Sequence, residues 1–379
     1  MSSDAAYLNL KTRTVSYRFF MEGLMNFKQI IAGLLLLPLM AFGVVAEASA
    51  KEKIKIGVAV SWPGYAFYEL ARVKNMAPGY DMEITIFEDP IAGHNQLAAG
   101  NIDVYVSTLD YIPVAVENKL PIVNVAFTNP SYGVDQVVLA PGVTVADIKG
   151  KKVAAPEAYI GHIVVGLWLE KNGIKPSDVT WVNLNADEGV GPMISGDIAA
   201  AYMYEPWTSK LTEALKGTQI VADTAQDDYK KLGLFGDSIF MNADFIKNNR
   251  KAALDMLKIR WDAVQYWHDN TDEVNKLWAE YLQWPVSDIE FVTGTNGKFF
   301  LGGIYMFDFN ESAQFCGSIK GEPPFGANGG FKDAVKITND WWVKLGVLKA
   351  SHDPSNGVDC SLMDDLAKGG YSQSFQARK

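Results

Sequence analysis

The chain has 379 residues, 48% of them hydrophobic and 21% charged, with 34 Lys and Arg against 44 Asp and Glu. That much apolar material excludes a disordered chain, and the length suits about two domains. The net charge of −10 argues against a binder of nucleic acid or anionic membrane, since both need a basic face.

In chain order, the first feature is an export signal. Met25–Lys28 gives a short start with one cation, Ile30–Val45 is an apolar run, and Ala48-Ser49-Ala50 is a small-x-small cleavage pattern. This reads as a signal peptide removed after Ala50, with residues 1–24 an upstream extension. An uncleaved anchor is the alternative, but the run falls short of the ~20 residues of a membrane span. No cysteine near the cleavage point supports a lipid anchor. Removal of residues 1–50 leaves 30 Lys and Arg against 41 Asp and Glu, a net −11. The two cysteines, Cys316 and Cys360, form either one disulfide, as export favours, or two buried thiols. They are too few for a zinc site.

The mature part opens on Lys53–Val60, alternating and β-branched, hence a strand. The turn SWPGY follows, then a helix-like stretch. LAAG (97–100) ends a helix, Ile102–Val106 is a strand, and Ser107–Tyr111 is a loop. Asp135–Ala140 is extended and stops at Pro141-Gly142. A second round then begins. Lys151–Ala155 is a strand, PEAYIG a loop, and HIVVGLWLEKNG a helix closed by Gly173. Gly196 ends another helix, Ile198–Met203 is a strand, and Tyr204–Trp207 a loop. Ser238–Met241 is extended. Beyond it the apolar spacing turns helical through residues 243–270. A further helix, 271–282, is expected to be capped by Thr271. A Pro/Gly-rich loop spans 321–330, and a last amphipathic helix runs from 330 to 348.

The two rounds echo each other: strand, loop, helix, then strand and loop. Alternating strands and helices predict parallel-rich sheets with right-handed crossovers. Ligands of such sheets sit beyond the carboxyl ends of the strands. Four loops, 61–65, 107–111, 156–161 and 203–207, would therefore line one cleft between two lobes. The expected lobes are 51–139 together with 239–379, and 140–238. Two crossing strands, near 135–140 and 238–241, would form the hinge.

LAAGNIDV, DIKGKKVAAP, LEKNGIKPSDVTWVNL, ISGDIAAAYMYEPW and ADFIKNNRKA occur in an order that resembles the nitrate, sulfonate, taurine and thiamine-precursor group of ABC-transporter solute-binding proteins. The resemblance covers about residues 53–350. It implies a type II-like, two-lobed periplasmic binding fold in the periplasm of a Gram-negative cell. It also implies a small-molecule solute and an inner-membrane permease as partners. By position it implies ligand contacts at Trp62, Tyr65, Ser107, Thr108, Asp110, Tyr159, His162, Tyr204 and Glu205. Sulfonate binders of the group carry Ser or Thr where this chain reads Ala158-Tyr159-Ile160-Gly161-His162, and this departs from an oxyanion site.

Each candidate has a structural reading beside the functional one. Trp62 and Tyr65 are either a stacking platform or core aromatics near the hinge. Asp110 is a ligand contact or a helix cap. Asp135 faces the cleft or water. Glu205 is a ligand contact or the partner of Lys210. His162 touches ligand or is structural, and His94, His268 and His352 are surface or structural. Carboxylates and aromatic faces without Lys or Arg in the four loops favour a cationic, amine, guanidine-like or pyrimidine-like solute. Taurine, alkylsulfonate and nitrate are the alternatives. No cofactor or metal is expected, because no HExxH or paired-Cys motif occurs. An enzyme would need a nucleophile–base pair or metal site, and no GxSxG occurs. Pyrimidine-synthesis enzymes resemble the same group but carry a cysteine-rich motif that is absent here. A chemosensory role is an addition to solute binding at most. A monomer without nucleic acid is expected.

Overall fold

The computed structural model describes residues 51–295, 303–324 and 330–375. The expected signal peptide lies outside them, as does part of the 321–330 loop. Among the described residues ten strands form two sheets of five. They are β1 (Glu52–Ala59), β2 (Tyr80–Phe87), β3 (Val104–Thr108), β4 (Ile122–Pro130), β5 (Asp135–Leu139), β6 (Lys152–Ala154), β7 (Thr180–Val182), β8 (Ala200–Tyr204), β9 (Gln219–Asp223) and β10 (Gly236–Asn242). The first sheet has the order β2-β1-β3-β10-β4, the second β7-β6-β8-β5-β9.

The two orders are one pattern. In each sheet the strand that opens the round sits second, its parallel neighbours flank it, and a single reversed strand sits fourth. The reversed strand is β10 in the first sheet and β5 in the second, each antiparallel to both neighbours. The sequence echo therefore corresponds to a repeated topology. Four of five strands in each sheet point the same way, and helices cover the faces. This is the α/β, parallel-rich arrangement the strand–helix alternation predicts.

The crossings differ from expectation in position. β5 is bonded into the second sheet along its whole length, so the chain leaves the first sheet earlier, at residues 131–134. It returns through 224–235, ahead of β10. The two segments are joined: Ser131 and Thr224 hydroxyls lie 2.5 Å apart, and the Gly133 amide donates to Thr224 Oγ1 at 3.0 Å. A pattern of apolar extended residues marks a strand but not the sheet it joins, hence the shift.

The helices after β10 pack on the first sheet's side. Trp261, Trp267, Trp278 and Phe67 are fully buried there. Burying each such side chain contributes roughly 1.5–3 kcal/mol. Thr271 is not the cap of its helix. Asn270 holds that position, and the Thr271 hydroxyl instead donates to the Trp267 carbonyl at 2.9 Å. Residues 303–307 run along β4, with Tyr305 and Phe307 amides donating to Pro130 and Thr128 carbonyls. Cys316 and Cys360 form a disulfide with a Cα–Cα distance of 5.8 Å. Among the described residues no helix is long and apolar enough to cross a membrane.

Candidate functional site

The site is built from strand ends of both sheets. β1 gives way to Trp62, which precedes a tight turn at Pro63–Tyr65 with proline in its first position. Gly64 is required here, because a Cβ would stand 2.4 Å from Asp237 Oδ2 and 2.6 Å from Trp62 Nε1. The turn thus lies directly on the bond in which Trp62 Nε1 donates to Asp237 Oδ2 at 3.2 Å. Asn129, at the end of β4, donates its amide to the same oxygen. Thr128 Oγ1 donates to Asn129 Oδ1 at 2.9 Å and so sets that amide's orientation. Asp237 starts β10 beside Gly236, whose missing Cβ would strike the Asn129 carbonyl at 2.4 Å.

The second sheet supplies the facing wall. Asp135 opens β5, and the Tyr202 hydroxyl of β8 donates to its Oδ1. Tyr204 lies two residues on, on the same face of β8, with its ring 5.9 Å from Trp62 in an edge contact. Tyr159, just before the helix Ile160–Lys171, brings its hydroxyl to 3.5 Å from that of Tyr65. These groups enclose a cavity with about 40 Å³ of room for water, enough for roughly three molecules. Its wall includes Thr108, whose buried Oγ1 has no hydrogen-bond partner. Among the described residues no lysine, arginine or histidine lines it.

Burial governs the electrostatics. The Asp237 carboxyl is pushed up to about 7 by burial, against the Asn129 and Trp62 donors and with the Asp135 charge adding to the rise. Asp135 is raised by burial, against Ser131 and Tyr202. Tyr65, Tyr159 and Tyr202 are held well above the ordinary tyrosine range, chiefly by burial. At neutral pH the cavity therefore offers hydroxyls, aromatic faces and two carboxyls.

Of the residues singled out from sequence, Trp62, Tyr65, Thr108, Asp135, Tyr159 and Tyr204 line this cavity. Ser107, Asp110, His162 and Glu205 do not. Ser107 precedes Thr108 on β3 and by alternation faces the other side. Asp110 lies in the turn Leu109–Tyr111, fully buried, and caps nothing. Its backbone carbonyl accepts from Trp342 Nε1 at 2.7 Å, and neither carboxyl oxygen has a hydrogen-bond partner. Burial pushes this carboxyl up to about 7, with the Thr108 hydroxyl acting the other way. His162 sits in the first turn of its helix, edge-on to Trp181 at 4.4 Å, and burial pushes it down to about 4. Glu205 accepts from the Ser209 amide at 3.2 Å at the start of the helix Trp207–Ala214. Its expected alternative partner, Lys210, lies over the Trp207 ring instead, at 4.1 Å.

Asn129, Ser131, Tyr202 and Asp237 also line the cavity and were missed. Tyr202 was within reach of sequence reasoning, since it shares a strand face with Tyr204. Asn129 and Asp237 sit at ends of strands whose pairing no local pattern discloses. Among the described residues no group of three or more His, Cys, Asp or Glu side chains is arranged to hold a metal ion.

Known proteins place this geometry in context. The profile of the NMT1/THI5-like family matches residues 77–274. A provisionally named binding protein of Brucella abortus (strain 2308) is 24% identical over 251 residues, 65% of this chain and 76% of that one. The periplasmic aliphatic sulphonate binding protein SsuA of Escherichia coli superposes with a TM-score of 0.62 at 15% identity, over 82% of this chain and 92% of that chain. The periplasmic nitrate-binding protein NrtA of Synechocystis PCC 6803 superposes with a TM-score of 0.63 at 16% identity, over 84% and 89%. The fold is that of the periplasmic binding proteins, and the chain belongs to the NMT1/THI5-like family.

Proposed function

We propose that this protein is the solute-binding component of an ABC importer, and that it captures a small nitrogen-containing cationic solute by closure of two lobes. The observation that carries the ligand class is the lining of the cavity. Asp135 and Asp237 approach from opposite sheets among Trp62, Tyr65, Tyr159, Tyr202 and Tyr204, with no cationic side chain to meet an anion. Carboxylates pair with N–H donors and positive charge, and aromatic faces attract flat cations. Amines, guanidine-like and pyrimidine-like compounds satisfy both. Sulfonate and nitrate, bound by the fold relatives named above, would bring a negative charge to two carboxyls.

The assignment carries further parts. The lobes are 51–139 with 239–379 and 140–238, adjusted at the first crossing to the start of β5. The protein works in the periplasm as a monomer, hands its solute to an inner-membrane permease, and performs no catalysis. The fold relatives, several of them periplasmic binding proteins, support this reading.

A thermal-shift panel of methylguanidinium, agmatine, aminopyrimidines, taurine, alkylsulfonates and nitrate tests it. A ligand at 100 times its Kd stabilises by about 2.7 kcal/mol. Guanidinium or aminopyrimidine compounds are expected to raise the melting temperature. Stabilisation by nitrate or alkylsulfonate alone would overturn the ligand class.

A further inference from the structure

Ser131 belongs both to the cavity lining and to the first crossing segment. Its hydroxyl lies 2.5 Å from that of Thr224 in the second crossing segment. Three backbone amides close a ring around this contact. The Gly133 amide donates to Thr224 Oγ1 at 3.0 Å, and the Asp135 amide to Ser131 Oγ at 3.3 Å. The Thr224 amide donates to the Asp135 carbonyl at 3.1 Å. Gly133 has a φ of 96°, so the bend that carries its amide to Thr224 suits glycine. Ser131, Thr224 and Asp135 are all buried, Thr224 completely.

Counting protons fixes the direction of the hydroxyl pair. Serine and threonine carry one hydroxyl proton each. Thr224 Oγ1 already accepts from Gly133, and among the described residues Ser131 Oγ is the acceptor within reach of its proton. A buried hydroxyl left without an acceptor is costly, so Thr224 donates and Ser131 accepts. The Ser131 proton is then left over at the cavity, on the side of the Asp135 carboxyl. That carboxyl accepts from the Tyr202 hydroxyl through Oδ1, and the Ser131 hydroxyl favours its ionised form against burial. Tyr202 supports Asp135 from inside the second sheet, whereas the hydroxyl pair supports it from the crossing segments.

We propose that Ser131 and Thr224 are positioning residues for the solute. Donors line up from the Gly133 amide through Thr224 and Ser131 to the Asp135 carboxylate, hold it toward the cavity and tie it to both crossing segments. This rests on the reading that the cavity takes the solute, and it says how binding there reaches the crossing segments. Aligned hydrogen bonds polarise one another, so each link strengthens the next. A solute held by Asp135 stabilises the chain of donors, and the chain stabilises the bound solute by the same factor.

Three variants test the relay. Thr224→Val keeps the shape and removes the hydroxyl, Thr224→Ser keeps the hydroxyl, and Ser131→Ala cuts the chain at its next link. In ligand-free protein, amide-resolved hydrogen exchange should be faster at Gly133 in Thr224→Val and unchanged in Thr224→Ser. Calorimetry with methylguanidinium chloride should show affinity lowered about tenfold in Thr224→Val and in Ser131→Ala, as for a lost hydrogen bond to a charged group. Thr224→Ser should bind as the wild type does. The double variant Ser131→Ala with Thr224→Val should lose no more than either alone, because both cut one chain. Saturating methylguanidinium should slow exchange at Gly133 and Asp135 in the wild type and not in Thr224→Val. Unchanged exchange at Gly133 in Thr224→Val, wild-type affinity in that variant, or losses that add in the double variant would overturn the relay and leave the solute reading standing. No binding to the wild type by methylguanidinium or by the other nitrogenous members of the panel would overturn the solute reading and the coupling with it.

Discussion

Asp110 shows most clearly what burial does to a single residue. In the unfolded chain its carboxyl titrates at about 3.9. In the folded protein it is fully buried without a partner and is pushed up to about 7. Between these values the folded state holds more protons than the unfolded state, so this group's stabilising effect is complete below the unfolded value. It is lost as pH rises through the folded one. Asp110→Asn removes that dependence. The variant should gain on the wild type by on the order of 2–4 kcal/mol between pH 5 and pH 8. Urea denaturation of both proteins across that range checks it, and parallel stability curves would mean that Asp110 is ionised throughout. The residue type was legible in the sequence, and its environment was not. Asp110 and Glu205 looked alike as carboxylates in loops before helices. Glu205 accepts from a backbone amide, whereas the Asp110 carboxyl is fully buried beside the Thr108 hydroxyl.

At the level of elements, the Cys316–Cys360 bond ties the end of the helix Phe309–Cys316 to the start of the helix Ser361–Lys368 across a separation of 44 residues. The tail beyond it is anchored further: Gln373 Nε2 donates to the Trp261 carbonyl at 2.8 Å, and the Phe375 amide donates to Asp308 at 2.9 Å. Closing a loop of that length stabilises by about 4 kcal/mol on chain-entropy grounds. Cys316→Ser with Cys360→Ser should therefore lower stability by about 2–4 kcal/mol while leaving solute affinity unchanged, because neither cysteine is among the residues that line the cavity. Chemical denaturation and calorimetry on the double variant check both halves. Loss of affinity at full folding would mean that the tail shapes the site. Strands and long helices were legible because their periodicity is local. The partners of β5 and β10 were not, because two reversed strands with the same apolar run can complete either sheet.

For the whole molecule, the cleft wall is shared between two sheets joined by two segments that hydrogen-bond each other through Ser131 and Thr224. Contacts between the two sides include the Trp62–Tyr204 edge and the Tyr65–Tyr159 hydroxyl pair at the cavity, and His162–Trp342 and Lys344–Glu170 between the helices Ile160–Lys171 and Phe331–Lys344. Two connecting segments of this kind are the geometry of a hinge. Small-angle scattering should show a smaller radius of gyration when a stabilising solute from the panel is added, and an unchanged profile with ligand bound would argue for a rigid cleft. The sequence by itself determined the α/β class, the repeat and the aromatic, cation-poor character of the four loops. These follow from residue type and local spacing. Only the tertiary structure decided which carboxyls share the cavity, because Asn129, Asp135 and Asp237 meet through strand order over about a hundred residues. Burial of Asp135 and Asp237 is likewise a property of the assembled cleft, and the physical reason is the loss of water around each carboxyl once the two sheets face each other.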